Sequence, residues 1–150
     1  IERDGKTSVG VILDGYPVNR GHSLIVPKRP VSSIFQTTPE EREDIFTAME
    51  EYKVLLEKTL KEKGLPIPQS YNIGINDGFT AGQTVPHLHV QFIPRYFGDV
   101  ANPHGGVRGV KGSEEDTFYD GQPWGKQKYT GEPNSKVDEL FDNKTAIIEV

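Results

Sequence analysis

The sequence contains no cysteine among its 150 residues, which excludes disulfide bonds and any metal site built on thiolates. This absence fits a cytoplasmic protein, and we expect that location. No run of 18 apolar residues is present, so the sequence predicts no membrane span. Lys and Arg total 17 against 22 Asp and Glu, for a net charge of −5. No broad basic face is therefore implied, and a general nucleic-acid-binding protein is not expected.

Apolar residues are also sparse, at 34%, whereas the chain has 16 glycines and 11 prolines. The length suits one domain with a normal core, and the composition indicates long loops. We interpret residues 1–150 as a single domain with a loop-rich segment at 98–132 and a C-terminal extension at 133–150. Mostly antiparallel strands around one long helix predict an α+β fold.

Two parts of the first half of the chain have clear local signals. Residues 8–29 predict a β-hairpin, because alternating apolar residues flank the turn sequence "DGYPVNRG". Residues 39–63 predict a helix that Thr38 caps, with Glu41 completing a capping box and Gly64 ending the run. The 3.6-residue period places seven apolar side chains on the face toward the sheet. They are Ile45, Ala48, Met49, Tyr52, Leu55, Leu56 and Leu60.

The second half predicts two further strands, at residues 69–77 and at residues 85–93, the latter ended by Pro94. A short helix, "KVDELFD", and a last strand, "TAIIEV", are expected within residues 136–150. Arg95 and Tyr96 follow the fourth strand, and a surface position is their simplest interpretation.

The stretch "PHLHVQF" has the strongest chemical content in the chain. Alternate side chains of a strand share one face, so His87, His89 and Gln91 are expected to point one way. The intervening side chains are expected to point into the core. They are Leu88, Val90 and Phe92.

Three interpretations of this pattern compete. The residues are incidental on a solvated strand face, or His87 and His89 bind zinc with His22 as a third ligand, or an imidazole attacks a phosphate. The flanking "NDGFTAGQT" favours the third, because glycine-rich turns expose backbone amides suited to an anion. Neutral donors in or beside this stretch are Asn76, Gln83 and Thr84.

The segment "GQTVPHLHVQFIPR" resembles the signature of the histidine triad (HIT) superfamily, in which polar residues alternate as His-x-His-x-(His or Gln). "NRGHSLIVPKRPVSSI" and "NIGINDGFTAGQTV" are also similar to the family's sequences, and the similarity covers roughly residues 9–110. The resemblance implies a five-stranded antiparallel sheet with one long and one short helix, usually in a homodimer. It also implies nucleotidyl transfer through a covalent nucleotidyl-histidine.

The resemblance assigns roles to individual residues. It makes His89 the nucleophile, gives His87 a supporting position with a phosphate contact, and has His22 orient the site. Asp14 falls where the family places a polar residue on the ribose hydroxyls, although an aspartate in a "DGYP" turn also has a structural reason to be there. Contacts with the phosphates or the leaving group are assigned to Asn76, Gln83 and Thr84.

Gln91 differs from a third histidine because it cannot titrate and pass a proton to the leaving group. Its amide can still donate to a phosphoryl oxygen. The departing group must then leave without much help, as a phosphate chain does and an amine does not. We therefore expect a nucleotide hydrolase or nucleotidyltransferase acting at the α-phosphate of a dinucleoside polyphosphate or related purine nucleotide.

Several alternatives stay open at this point. Transfer to phosphate, as in a dinucleoside polyphosphate phosphorylase, competes with hydrolysis, and a nucleotide-binding module with little turnover is a further possibility. The histidine chemistry requires no metal or other cofactor, although Mg²⁺ could screen the polyphosphate. His104 and Arg108 could close over the outer phosphates, and Trp124 could stack on a base or simply pack in its loop.

Overall fold

A computed structural model describes residues 2–3 and 6–111 of the chain, with side chains from residue 8 to residue 110. Strands β1 (Glu2–Arg3) and β2 (Lys6–Thr7) form a small antiparallel pair. The main sheet has four antiparallel strands in the order β3-β4-β6-β5. Its strands are β3 (Val9–Leu13), β4 (Ser23–Pro27), β5 (Ser70–Ile75) and β6 (Val90–Arg95). Within these residues no helix is both long and apolar enough to cross a membrane.

The helix α1 (Pro39–Glu62) begins where its cap residues predict. The Thr38 hydroxyl accepts from the Glu41 N–H at 3.1 Å, and the Glu41 carboxylate accepts from the Thr38 N–H at 2.9 Å. The chain leaves the helix through Gly64, whose φ of 66° is easy only for glycine. The predicted capping box is therefore confirmed.

The apolar stripe of α1 packs on the sheet as predicted, with one exception. Leu56 and Leu60 are fully buried, and the ring of Tyr52 meets that of Phe92 edge-on at 5.4 Å. Leu55 is 42% exposed, so its assignment to the stripe was wrong. One residue corresponds to a rotation of about 100° around a helix, which places Leu55 on the border of a stripe centred on Leu56.

Removing the Glu41 side chain should lower the free energy of unfolding by about 1–2 kcal/mol, because Glu41→Ala removes a cap and an ion pair together. Arg29 donates to this carboxylate at 2.7 Å. Burial acts to raise the pKa of Glu41, but hydrogen bonds from Arg29 and Thr38 outweigh it and hold the pKa below its usual value. Urea denaturation of both proteins measures the difference.

The pH dependence of that difference is the internal check. A carboxyl whose pKa is lowered on folding contributes stability above its unfolded pKa and loses it as the pH falls through the folded value. The difference in free energy of unfolding between wild type and Glu41→Ala should therefore be present at pH 7. It should shrink as the pH falls below 4.5, the ordinary pKa of a glutamate. Glu50→Ala, which removes an exposed carboxylate from the same helix, should show no such gap. A gap that persists unchanged at pH 3 would contradict the explanation.

The β3–β4 hairpin forms as predicted, with Val9 opposite Pro27 and Leu13 opposite Ser23. The apolar half of the "PHLHVQF" stretch also lies where expected, because Leu88, Val90 and Phe92 are at most 2% exposed. The face of the sheet that α1 does not cover is thereby left for the polar residues.

The fourth predicted strand begins later than the alternation indicated. β6 starts at Val90 and not at residue 85, so His87 and His89 lie in an irregular turn and only Gln91 is on the strand. Pro86 has no backbone N–H to donate to a neighbouring strand. The His87 N–H donates locally instead, to the carbonyl oxygen of Val85 at 2.8 Å. The Leu88 N–H donates to the carbonyl oxygen of Val31 at 2.7 Å, so it is not available to a neighbouring strand.

β6 also continues past Pro94, where the sequence predicted its end. The β4 ladder stops at Ser23 opposite Phe92, so no neighbour requires an N–H from Pro94 on that side. On the other side Tyr71 of β5 lies opposite Pro94. The strand therefore reaches Arg95. The predicted fifth strand and short helix fall at residues 136–150, outside the described residues.

Candidate active site

The hydrogen bond of His89 identifies which of its ring nitrogens carries a hydrogen. Its Nδ1 lies 2.8 Å from the carbonyl oxygen of His87. A carbonyl can only accept, so Nδ1 carries the hydrogen and donates it. In the neutral ring Nε2 then holds the lone pair. The side chain is half-buried, which leaves it accessible to a ligand while the turn fixes its orientation.

The His87 side chain is buried under the turn that carries His89 and is not on an exposed face with Gln91. The side chain is 2% exposed, and its Nε2 lies 2.8 Å from the carbonyl oxygen of Pro27 at the end of β4. The same reasoning makes Nε2 the donor. His87 therefore ties the turn that carries His89 to the neighbouring strand. Its expected phosphate contact stays a prediction.

His22 and Gln91 form the second part of the site. The backbone N–H of Val18 donates to His22 Nδ1 at 3.1 Å, so Nε2 carries the hydrogen of the neutral ring. That Nε2 lies 2.6 Å from Gln91 Oε1 and 3.4 Å from Asp14 Oδ2. The other Asp14 oxygen accepts from the Tyr16 N–H at 2.7 Å, which closes the predicted turn.

These contacts settle which way the Gln91 amide faces. Its oxygen accepts from His22, so its NH₂ group is the end directed away from His22. Gln91 lines a cavity of about 380 Å³ on the uncovered face of the sheet. The amide can therefore donate hydrogen bonds to a ligand next to it, while its oxygen stays engaged.

The three predicted neutral donors have different surroundings. Asn76 lines the same cavity as Gln91. Gln83 is 2% exposed, and its amide bonds Gly78 N–H, Ser32 C=O and Val85 C=O at 2.8–3.1 Å. Gln83 thus braces the loop that precedes His87. Thr84 is exposed and is not among the residues that line the cavity.

The simplest interpretation of Arg95 was wrong, because its side chain is only 18% exposed and belongs to a polar network. Its guanidinium donates to both Asp99 oxygens at 2.7 and 2.8 Å and to Asn72 Oδ1 at 2.5 Å. Asn19 donates to the same carboxylate at 2.7 Å. These hydrogen bonds hold the pKa of Asp99 far below its usual value, and the largest contribution comes from Arg95.

None of the network partners of Arg95 was predicted as a site residue. Arg95 and Asp99 are four residues apart at the end of a strand, which is the one local signal in the sequence. Asn19 and Asn72 lie in distant segments, and only the fold brings them together.

The weaker candidates gain no support from the described side chains. Among the side chains from residue 8 to residue 110, no three His, Asp or Glu residues are grouped so as to hold a metal ion, which leaves the zinc interpretation without structural support. His104 and Arg108 are exposed. Trp124 lies outside the described residues.

A neutral imidazole whose Nε2 holds a lone pair, two residues from an oriented amide donor, has the groups needed to attack an electrophilic atom such as phosphorus and to hold an oxygen bound to it. Residues 6–98 match the model of the HIT domain. This match covers more than half of the 150 residues, so the chain belongs to the HIT domain family. The resemblance that the sequence motifs indicated is confirmed.

Named relatives and a solved structure agree with this assignment. The chain is similar to a bis(5'-nucleosyl)-tetraphosphatase (asymmetrical) of Schizosaccharomyces pombe, with 42% identity over 79 residues, or 53% of this chain and 40% of that one. It is also 36% identical over 93 residues to an AP-4-A phosphorylase of Mycobacterium tuberculosis H37Rv. That match covers 61% of this chain and 44% of the phosphorylase. The solved structure of a HIT family protein of Bacillus anthracis superimposes with a TM-score of 0.55 at 33% identity. The superposition covers 63% of this chain and 62% of that protein. The chain spans less than two thirds of each relative.

Proposed function

We propose that this protein is an enzyme that cleaves or transfers at the α-phosphate of a dinucleoside polyphosphate or related purine nucleotide. The observation that carries the proposal is the tautomer of His89. Its Nδ1–H is held by the His87 carbonyl, so Nε2 offers a lone pair. The names of the two relatives, a tetraphosphatase and a phosphorylase, support the same substrate class.

The proposed first step forms a covalent nucleotidyl-histidine. The lone pair of His89 Nε2 attacks the α-phosphorus, and the bond to the bridging oxygen breaks, so that oxygen leaves with the remaining phosphates. The ring becomes positively charged while Nδ1–H keeps its bond to the His87 carbonyl, which favours the charged ring. Water or phosphate then attacks the phosphorus, the N–P bond breaks, and the imidazole lone pair is restored. In hydrolysis the attacking water releases its proton to solvent.

Gln91 supports this step by stabilising charge and not by moving a proton. Its NH₂ group, fixed by the bond from His22 to its oxygen, would donate to a phosphoryl oxygen as negative charge develops there. A departing phosphate chain needs no proton at neutral pH, so a site without a titratable third residue suffices for it. Asp14 beside His22 would contact the ribose.

Product analysis with diadenosine tetraphosphate tests the proposal. Attack at the α-phosphate releases ATP in either case, and the acceptor decides the second product. Hydrolysis gives ATP plus AMP, whereas ADP that appears only when inorganic phosphate is present identifies phosphorolysis. We expect one of these two patterns by chromatography. Unchanged substrate alongside tight AMP binding would instead identify a nucleotide-binding module with little turnover.

Three further features belong to the proposal. The histidine chemistry needs no resident metal, and Mg²⁺ would enter with the polyphosphate substrate. Residues Asn76, Gln83 and Thr84 serve the phosphates or the leaving group, with Gln83 acting through the loop that it braces. A homodimer in the cytoplasm is the expected working form.

A further inference from the structure

The cavity beside Gln91 is distinct from the contacts between His22 and Asp14, because neither of these residues lines it. It lies over β5 and β6, between the β3–β4 turn and the segment that follows β6, and neither His89 nor Asp14 lines it. Gln91 therefore stands between two places: the site built around His89, and a space of about 380 Å³. Such a volume is within the range of small-ligand sites, roughly 300–1,000 Å³.

The walls of this cavity are mostly apolar. Val18 and Ile93 lie on the turn and on β6, and Val100 and Val107 come from the segment after β6. Among the described residues that line the cavity there is no lysine, and the guanidinium of Arg95 is engaged by Asp99 and Asn72. The cavity therefore offers no free cation to neutralise a phosphate chain. A flat, neutral group would instead make apolar contacts on more than one side.

The network around Arg95 fixes the orientation of two amides in the cavity wall. Asn72 Oδ1 accepts from Arg95, so the Asn72 NH₂ group is the end left for a ligand. Asn19 Nδ2 donates to Asp99 and to the Pro94 carbonyl at 2.7 and 3.0 Å, so its oxygen is the end left for a ligand. Beside the amides of Gln91 and Asn76, the cavity thus offers an N–H donor on Asn72 and a carbonyl acceptor on Asn19. Nδ2 of Asn72 faces the segment after β6, because a Cβ on Gly106 would lie 3.4 Å from it.

We propose that this cavity is a second subsite, which takes the nucleoside of the leaving half of the substrate. This inference rests on the proposed function and adds a place for the half that His89 does not retain. A heterocyclic base combines flat apolar faces with neighbouring donor and acceptor atoms on its edge, as in the amino group and ring nitrogen of a purine. Gln91 lies at the boundary, where the polyphosphate would pass from one nucleoside to the other.

Two substrates and two variants test the subsite. Diadenosine tetraphosphate and adenosine 5′-tetraphosphate share the reacting phosphate and the chain length, and differ in the second nucleoside. Val107→Trp fills the cavity from its rim, where Val107 is 68% exposed and the fold can tolerate the change. It should lower kcat/KM for the dinucleotide about tenfold more than for the mononucleotide. Asn72→Leu, which removes the donor, should shift the ratio in the same direction.

Val110→Trp is the matched control, since Val107 and Val110 both belong to a short 3₁₀ helix, Val107–Lys111. Val110 is 78% exposed and does not line the cavity. It should leave the substrate ratio as in wild type. If Val107→Trp and Val110→Trp change the ratio equally, or if Val107→Trp affects both substrates alike, the subsite is refuted while the proposed function stands. If wild type turns over neither substrate, both the function and the subsite fall.

Discussion

His89→Ala is expected to lower kcat for diadenosine tetraphosphate by at least about 10³-fold, because it removes the atom that forms the covalent bond. The loss should appear mainly in kcat. The groups that hold the substrate, namely the Gln91 amide and the cavity wall, are not altered by the change. Steady-state kinetics at saturating substrate, with products separated by chromatography, measures the effect.

A direct view of the intermediate makes the result specific to nucleophilic attack. Wild type quenched during turnover should carry one nucleotidyl group on the peptide that contains His89, and His89→Ala should carry none. The variant should stay folded, because His89 is half-buried and its side chain bonds a carbonyl only two residues away. Thermal unfolding checks this. Turnover near the wild-type rate in a folded His89→Ala protein would refute the mechanism.

Local signals in the sequence were enough for the elements that depend on local physics. The capping box at Thr38 and Glu41 and the turn at Asp14 form as predicted, because each is closed by hydrogen bonds between residues two or three apart. The apolar face of the "PHLHVQF" stretch was also predictable, since burial of Leu88 and Phe92 follows their alternation. Recognition of the family motif added the grouping of His22 with Gln91, which are 69 residues apart.

The features that the sequence did not reveal depend on contacts between distant segments. Alternation could not show that His87 turns inward, because the carbonyl that it bonds belongs to Pro27, 60 residues earlier. Nor could it show that Asp99 reaches the β3–β4 turn through Asn19, 80 residues away.

That long-range contact has a consequence for the site itself. The carbonyl of Asn19 accepts from the His22 N–H at 3.1 Å, and the next residue back, Val18, donates to the His22 ring. Asp99 therefore anchors the turn that sets the tautomer of His22. His22 in turn sets the orientation of Gln91.

Gln91→His is expected to raise kcat/KM for adenosine 5′-phosphoramidate about 10²-fold, the lower end of the range for general acid catalysis. The His22 Nε2–H, which now donates to the Gln91 oxygen at 2.6 Å, would donate to one ring nitrogen of the introduced imidazole. The other ring nitrogen would then face the cavity side. Protonation of the ring puts a hydrogen on both nitrogens, and the one on the cavity side passes to the departing amine and leaves a neutral ring. Initial rates on the phosphoramidate and on diadenosine tetraphosphate measure the change.

The pH profile separates proton donation from a general improvement of the site. An amine leaves with help only while the introduced ring is protonated, so the gain should fall as the pH rises through roughly 6.5, the ordinary imidazole value. The rate on diadenosine tetraphosphate should change little, because its phosphate chain departs without a proton. Gln91→Asn is the matched control, since it alters the amide's reach without adding a titratable group and should give no gain on the amine. An equal gain on both substrates, or a gain that is flat from pH 5 to pH 9, would show that the missing proton donor is not what limits this site.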